Sequence, residues 1–485
     1  MSFFDDIGLR AAEQLEASVG PYVALASYKR LFAGPPEIRD KAAFGALRCA
    51  IALDDDREIA QAASVWQRAE SVPSSATPFI SDLLRRNKPG LAYDIAAAEE
   101  TRAPTLLASY LKLRAAEAAG ILPPVSLANG WRTLAERARA ASDQRILTHA
   151  AARFIGHSLA IAAHDPAAHL DRAMLADLAE ASNIEHASVI ERLVLLRARL
   201  LSPSRFHRAG ALSALEDIAK RADGPIRAEA IGIAARHFLT LFTRLDAVEI
   251  DRIGATLKHH PDDRARTAIV GQLPGWVRLL AATKSSADDR GARIEQAVTA
   301  LAERSASVAR GLALWSAAAD QAPASRPLGG APEEALAYAG VDASAALDRD
   351  EPDAAVRAFE HSRALLGPDV AVPPGLWSAA HRALLHARGP ARRAAAEFID
   401  RALCRTFSMP PQPLVDIALA LSRAGHSAAS AHALAEAARW KEPGAEALLA
   451  DEKRRAGYAA FARADRAASL ALLREARALY AGQRP

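Results

Sequence analysis

Three groups of side chains in this chain have the types and spacing that could do chemistry. Asp54, Asp55 and Glu58 spell DDxxE, the spacing with which carboxylates gather Mg2+ and, through it, a diphosphate. His149, His157 and His164 recur at intervals of eight and seven residues, close to one helical face, and HDPAAHLD adds Asp165, His169 and Asp171. Imidazoles and carboxylates of this kind hold zinc or iron. His259, His260, Asp262 and Asp263 form a third group. Each has a plainer reading, and that reading is preferred. The acidic run suits a helix start, where carboxylates complement the macrodipole. The histidines lack the three- or four-residue spacing that sets two ligands on one ion, and Pro166 breaks the helix between them. His259 to Asp263 reads as a helix end followed by a turn.

The chain has no GxSxG elbow, Walker A loop, GxGxxG fingerprint or CxxC pair. No catalytic residue, metal or cofactor is therefore assigned, and an enzyme is not expected. Cys49 and Cys404 lie far apart in apolar contexts and read as small buried hydrophobes. The start, MSFFDDIGLRAAEQLEAS, lacks the basic and then apolar run of a secretion signal, and no stretch reaches eighteen uncharged apolar residues. A cytoplasmic protein without a membrane span is the expectation.

The 485 residues carry 61 basic and 57 acidic side chains, a net charge of +4, too small for a long-range field that would itself imply nucleic acid. Fifty-two of the basic residues are Arg and nine are Lys; with so much Ala, this bias reads as a GC-rich bacterial genome. The clusters Arg85, Arg86 and Lys88, then Arg192, Arg197, Arg199, Arg205 and Arg208, then Arg388, Arg392 and Arg393 are interleaved with acids and read as solvated faces. Apolar residues make up 51% and aromatic ones 5%, so the apolar content is mostly Ala and Leu. That favours close helix packing over a sheet.

The elements are helical pairs. In DEPDAAVRAFEHSRALLGPD, Asp350 to Asp369, one stripe carries Ala355, Phe359, Ser362 and Leu366. Pro352 suits a first helical turn, and Gly367-Pro368 stops the helix. Upstream, PEEALAYAGVDASAALDRD, Pro332 to Asp350, has small residues where two helices press together. Counted from a turn residue, the pattern recurs. Gly389 precedes Ala394 and Phe398, Gly425 precedes Ser430, Leu434 and Ala437, and Ala464 precedes Ser469, Leu473 and Ala476. The anchors 350, 389, 425 and 464 are spaced by 39, 36 and 39 residues, as in a solenoid of helical pairs.

GHSAASAHALAEAARWKEP, Gly425 to Pro443, and GYAAFARADRAASLALLREARAL, Gly457 to Leu479, resemble tetratricopeptide repeats. Gly457 sits where that family places a small residue in its first helix, although the spacing exceeds the family's usual length of about 34. Asp54 to Glu70 reads like a second helix of the same family, with Ala62, Trp66 and Ala69. DGPIRAEAIGIAARHF, from Asp223, and PDDRARTAIVGQL, from Pro261, resemble HEAT repeats, which implies that their Asp and Arg link neighbouring units. No single register covers residues 75 to 220. The expected fold is all-α, a right-handed α-solenoid of antiparallel helical hairpins with mixed tetratricopeptide-like and HEAT-like repeats. Gln321 to Pro332, QAPASRPLGGAP, cannot continue a helix, and Thr283 to Gly291 is a weaker break. The division is 1–322 (irregular repeats), 323–332 (linker) and 333–485 (tetratricopeptide-like). Trp66, Trp131, Trp276, Trp315, Trp377 and Trp440 are expected to wedge helix pairs together.

Such solenoids hold an extended peptide or a partner helix along a groove. The tetratricopeptide-like register implies that His386, Ser422, Arg423, Arg454, Arg455 and Tyr458 face it. Arg423, Arg454 and Arg455 would meet acidic side chains or a terminal carboxylate, with Tyr458 as an apolar platform. The expected function is a non-catalytic scaffold or adaptor for another protein. The alternatives are a nucleic-acid-binding solenoid, with a DNA glycosylase among its forms, and a self-assembling or complex subunit. The ending REARALYAGQRP leaves an apolar edge where another subunit would dock.

Overall fold

The computed structural model describes residues 3–68, 75–165, 167–241, 244–257, 259 and 332–482. Among them the regular elements are 22 α-helices and two short 3-10 turns, with no strand. The sequence starts these helices in two ways. Pro21, Pro36, Pro89, Pro124, Pro352 and Pro374 stand in first turns, where a missing N–H costs no intrahelical bond. Elsewhere a side chain caps. Asp55 accepts from the N–H groups of Arg57 (3.0 Å) and Glu58 (3.1 Å), Thr105 accepts from Ala108 N–H at 3.1 Å, and Ser188 with Glu191 closes a capping box.

The chain divides into two compact units, residues 1–158 with 181–187 and residues 159–180 with 188–485. In the first, the helices Phe3–Ser18, Pro21–Arg30, Pro36–Leu53, Asp56–Gln67, Thr77–Arg85, Pro89–Arg102, Leu106–Ala119 and Pro124–Ala140 pack on their neighbours and next-but-one neighbours in sequence. This is the packing order of an α-solenoid. Tyr28, Leu47, Trp66 and Ile80 fill the core, and Trp131 is likewise fully buried. Four hairpins turn on a residue of positive φ: Gly20, Asp54, Asn87 and Gly120, at intervals of 34, 33 and 33 residues. This register, unread in the sequence beyond residue 75, continues to Gly120. The next positive-φ residue, Ser142, follows after only 22. The helix Gln144–His164 has the length and composition to cross a bilayer, and half of its most apolar window is buried in the protein.

In the second unit, Val189–Arg199, Arg205–Arg221, Gly224–Leu241 and Ala247–Leu257 form one run of stacked helices. Pro332–Asp348, Pro352–Ala364, Pro374–His386, Gly389–Arg405, Leu414–Arg423, Ser427–Arg439, Ala445–Ala462 and Arg466–Gly482 form another. The four anchors read from the sequence are all left-handed turn residues, with φ of 55° at Asp350, 58° at Gly389, 83° at Gly425 and 63° at Ala464. The stripe Ala355, Phe359, Ser362 and Leu366 is buried. Its helix ends at Ala364, ahead of Gly367-Pro368. There Leu365 N–H turns back to Ser362 O at 3.1 Å and tightens the last turn to 3-10 geometry. Linker residues 321–331 and the break at 283–291 lie outside the described residues.

The small residues of Pro332–Asp348 have the role their pattern implied. A Cβ added at Gly340 would stand 2.9 Å from Leu376 N and 3.1 Å from its Cα. Because backbone, unlike a side-chain tip, cannot step aside cheaply, Gly340→Ala is expected to cost about 1–3 kcal/mol of overpacking despite the better helix propensity of Ala. A urea midpoint equal to or above the wild type would contradict this. Gly457 also sits at a close helix contact, but it faces a side chain, Leu473 Cγ at 2.9 Å by the same measure.

Candidate functional site

The DDxxE carboxylates do not converge. Asp54 is the left-handed residue closing Pro36–Leu53, and Asp55 caps the next helix. Glu58 turns away to Lys29 Nζ at 2.9 Å. Lys88 Nζ spans Asp54 at 2.6 Å and Asp56 at 2.5 Å, and its hydrogen bond holds the Asp54 carboxyl below its ordinary range. The histidines also go separate ways. His149 stacks near Tyr110 with centroids 6.1 Å apart, while His157 Nε2 lies 3.3 Å from Glu117. Burial pushes the Glu117 carboxyl up, but His157 and Arg153 outweigh it and hold it low. His259 is described; His260, Asp262 and Asp263 lie outside the described residues.

The described Asp and Arg of the HEAT-like pattern close on each other. Arg227 Nη2 donates to Asp223 Oδ1 at 2.8 Å, and Arg227 Nε to Ala222 O at 2.7 Å, all within one helix start. Of the groove residues, His386 and Arg423 are exposed and Ser422 is half-buried. Arg454, Arg455 and Tyr458 share the helix Ala445–Ala462. Arg454 pairs with Asp451 at 3.0 Å and Arg455 with Glu452 at 3.4 Å, each one turn back. Tyr458 is 59% exposed, Phe461 on the same helix 66%, and Leu470 across the turn 54%. The structure thus gathers three of the six on one helix and adds Phe461 and Leu470, which the repeat register did not mark.

Of the three basic clusters, the first and third stay largely at the surface, with Arg85, Arg86, Arg388 and Arg393 exposed, while Arg197 and Arg208 of the second turn inward. In the second unit a seam joins residues 162–249 to residues 369–442. Arg172, 5% exposed, donates through Nη2 to Ala402 O, Thr406 O and Ser408 O, and through Nη1 to Met409 Sδ at 3.0 Å. Arg197 and Arg236 both reach Asp369. Arg405 Nη2 donates to Ala162 O at 2.9 Å, and Arg439 Nη2 to Leu201 O at 2.6 Å. Arg244 Nη2 donates to Glu442 Oε1 at 2.8 Å. Trp440 lies beneath Arg208 (5.2 Å) and Arg244 (5.5 Å), a cation–π arrangement. Burial pushes the Glu436 carboxyl up, yet Arg172 and Arg439 overcome that and keep it below its usual range. No local motif signals this seam, because its partners stand 133 to 243 residues apart.

One corner of the seam gathers three different ligand types. Asp400 and Cys404 share a face of Gly389–Arg405, and His432 meets them from Ser427–Arg439, with Cys404 Sγ 3.2 Å from His432 Nδ1 and 3.9 Å from Asp400 Oδ1. From its apolar context Cys404 reads as a small buried hydrophobe. It is buried, at 3% exposure, but its neighbours are polar.

Comparison with known proteins adds little. No family model matches the chain, and no curated protein matches it. Among solved structures, one described as "Circular tandem repeat protein with novel repeat topology and enhanced subunit contact surfaces" aligns over 98% of this chain and 89% of its own, at 12% identity and a TM-score of 0.14. Overlap at that score carries no weight, and the fold rests on the helix packing itself.

Proposed function

We propose that this protein is a non-catalytic helical-repeat scaffold that recognises an acidic, amphipathic segment of another protein. The C-terminal helix pair, built on a tetratricopeptide-like plan, is its binding face. The observation that carries this reading is the exposed set Tyr458, Phe461 and Leu470 beside Arg454 and Arg455. An aromatic and aliphatic patch flanked by guanidiniums is the composition of an interface anchor. Arg454 holds only a solvent-exposed pair one turn back, worth about 0–1 kcal/mol, so a partner carboxylate can exchange for Asp451 at little cost, whereas the exposed Arg455 also covers Glu452, which is buried. The inward-turned arginines of the seam weigh against a nucleic-acid track, since they have carbonyl and carboxylate partners of their own. Both free thiols are buried, which supports a cytoplasmic setting.

The test begins with capture from native lysate, with nuclease, at low and high salt, and proceeds to affinity measurements on the captured protein. Arg454→Ala with Arg455→Ala, and separately Tyr458→Ala with Phe461→Ala, are each expected to weaken binding by roughly 10- to 100-fold. Unchanged affinity in both variants overturns the proposal. Recovery of nucleic acid alone, lost as salt rises, replaces it with the nucleic-acid reading.

A further inference from the structure

We propose that Asp400, Cys404 and His432 form a binding site for a transition-metal dication of the zinc class. The ligand atoms, one thiol sulfur, one imidazole nitrogen and one carboxylate oxygen, all lie within 4.8 Å of one another. A tetrahedral ion with metal–sulfur and metal–nitrogen bonds of ordinary length separates its S and N ligands by about 3.6 Å. The observed separations of 3.2 Å from sulfur to nitrogen and 3.9 Å from sulfur to oxygen bracket that value. Little movement is needed for the three to share one ion.

The backbone fixes the ligands from two directions. Asp400 and Cys404 are four residues apart on one helix, which sets them one above the other on the same face. His432 comes from the middle of a helix packed against that one. A third segment closes the corner, where Leu170 N–H donates to Cys404 O at 2.8 Å. A water can take the fourth position. Three protein ligands and one open position is the arrangement of a reactive or exchangeable zinc site, as distinct from a closed structural one.

The charges balance around such an ion. A thiolate and a carboxylate together offset a dication, while the nearby Arg172 is offset by Glu436. Without metal, burial and then Asp400 push the Cys404 thiol up to about 12, so it stays protonated. Burial, and then Arg172, push His432 down, leaving a neutral ring with a lone pair to give. Binding is therefore an exchange: the S–H bond breaks, the S–metal bond forms, and one proton leaves to solvent for each ion bound.

Titration of the full-length, chelator-treated protein with Co2+ tests the site. The expected result is a thiolate-to-cobalt charge-transfer band in the near ultraviolet that saturates at one ion per chain, releases one proton per ion and is displaced by Zn2+. Cys404→Ser is expected to abolish the band. His432→Gln is expected to weaken binding by more than the roughly 10- to 100-fold that loss of an outer-shell partner costs. Cys49→Ser, which alters the other buried thiol, leaves both unchanged. If Cys404→Ser does not fold, His432→Gln reads the same site while keeping the sulfur. Absence of the band in wild type, its persistence in Cys404→Ser, or its loss in Cys49→Ser overturns the proposal.

Discussion

Arg208→Ala is expected to lower the unfolding free energy of the second unit by about 3–5 kcal/mol, the cost of stranding a buried carboxylate. Arg208 forks onto Glu249, with Nε to Oε1 at 2.6 Å and Nη2 to Oε2 at 3.2 Å. Its Nη1 also donates to Ser202 O and Pro203 O, both at 2.9 Å. Glu249 is 0% exposed, so solvent cannot replace the guanidinium. The carboxylate has a second duty, for Asp246 N–H donates to Glu249 Oε2 at 3.2 Å while Glu249 N–H donates to Asp246 Oδ1 at 2.9 Å, a capping box at the start of Ala247–Leu257. Arg208→Met combined with Glu249→Leu removes both charges and is expected to recover most of the loss, short of the cap's contribution of about 1 kcal/mol. Urea unfolding of both single variants and the double variant gives the coupling. A single Arg208→Ala within about 1 kcal/mol of wild type would show that the pair contributes no more than an exposed one.

Acid is expected to destabilise the second unit through His237. Burial, and then the neighbouring Arg208, push this imidazole down to about 3, and its Nε2 is buried without a hydrogen-bond partner. Below the ordinary histidine value of about 6.5 the unfolded chain takes up a proton that the folded chain refuses, so stability falls with falling pH by roughly 1.4 kcal/mol per unit. The stability is fully present above about 6.5 and is lost progressively toward the folded value near 3. From about pH 6.5 to about pH 5 this single group removes roughly 2 kcal/mol. His381 and His432 are shifted the same way by burial, so His237→Asn should flatten this limb without abolishing it. An unchanged acid limb in that variant would mean that the ring is protonated inside the fold.

The sequence made the repeat legible where chemistry is local. A left-handed turn selects Gly or Asp over a few bonds, which marks the anchors at 350, 389 and 425, and Ala464 is legible only from the helical stripe Ser469, Leu473 and Ala476 that follows it. Gly20, Asp54, Asn87 and Gly120 carry the same signal, but Asn87 and Asp54 are ordinary surface residues unless their φ is known. The HEAT-like Asp223 and Arg227 satisfied a pattern whose defining contact is to another repeat, and they bond to each other instead. Trp66, Trp131 and Trp377 do fill helix interfaces, whereas Trp440 supports two guanidiniums. Trp276 and Trp315 lie outside the described residues. The Arg172 contacts and the approach of His432 to Cys404 had no signature to read, since separations of hundreds of residues, or of 28 with no recurring motif, become proximity only after folding.

The seam also sets a schedule for synthesis. Arg172, Arg197, Arg208 and Arg244 are made long before Asp369, Ala402, Met409, Trp440 and Glu442. At about 5–20 residues per second, an interval near 200 residues corresponds to roughly 10–40 s. For that time the nascent chain presents a half-built face, with guanidiniums and apolar side chains waiting for carbonyls that do not yet exist. Such a face is what holdase chaperones bind, and slowing translation across residues 250–370 would lengthen its exposure and raise the demand for them.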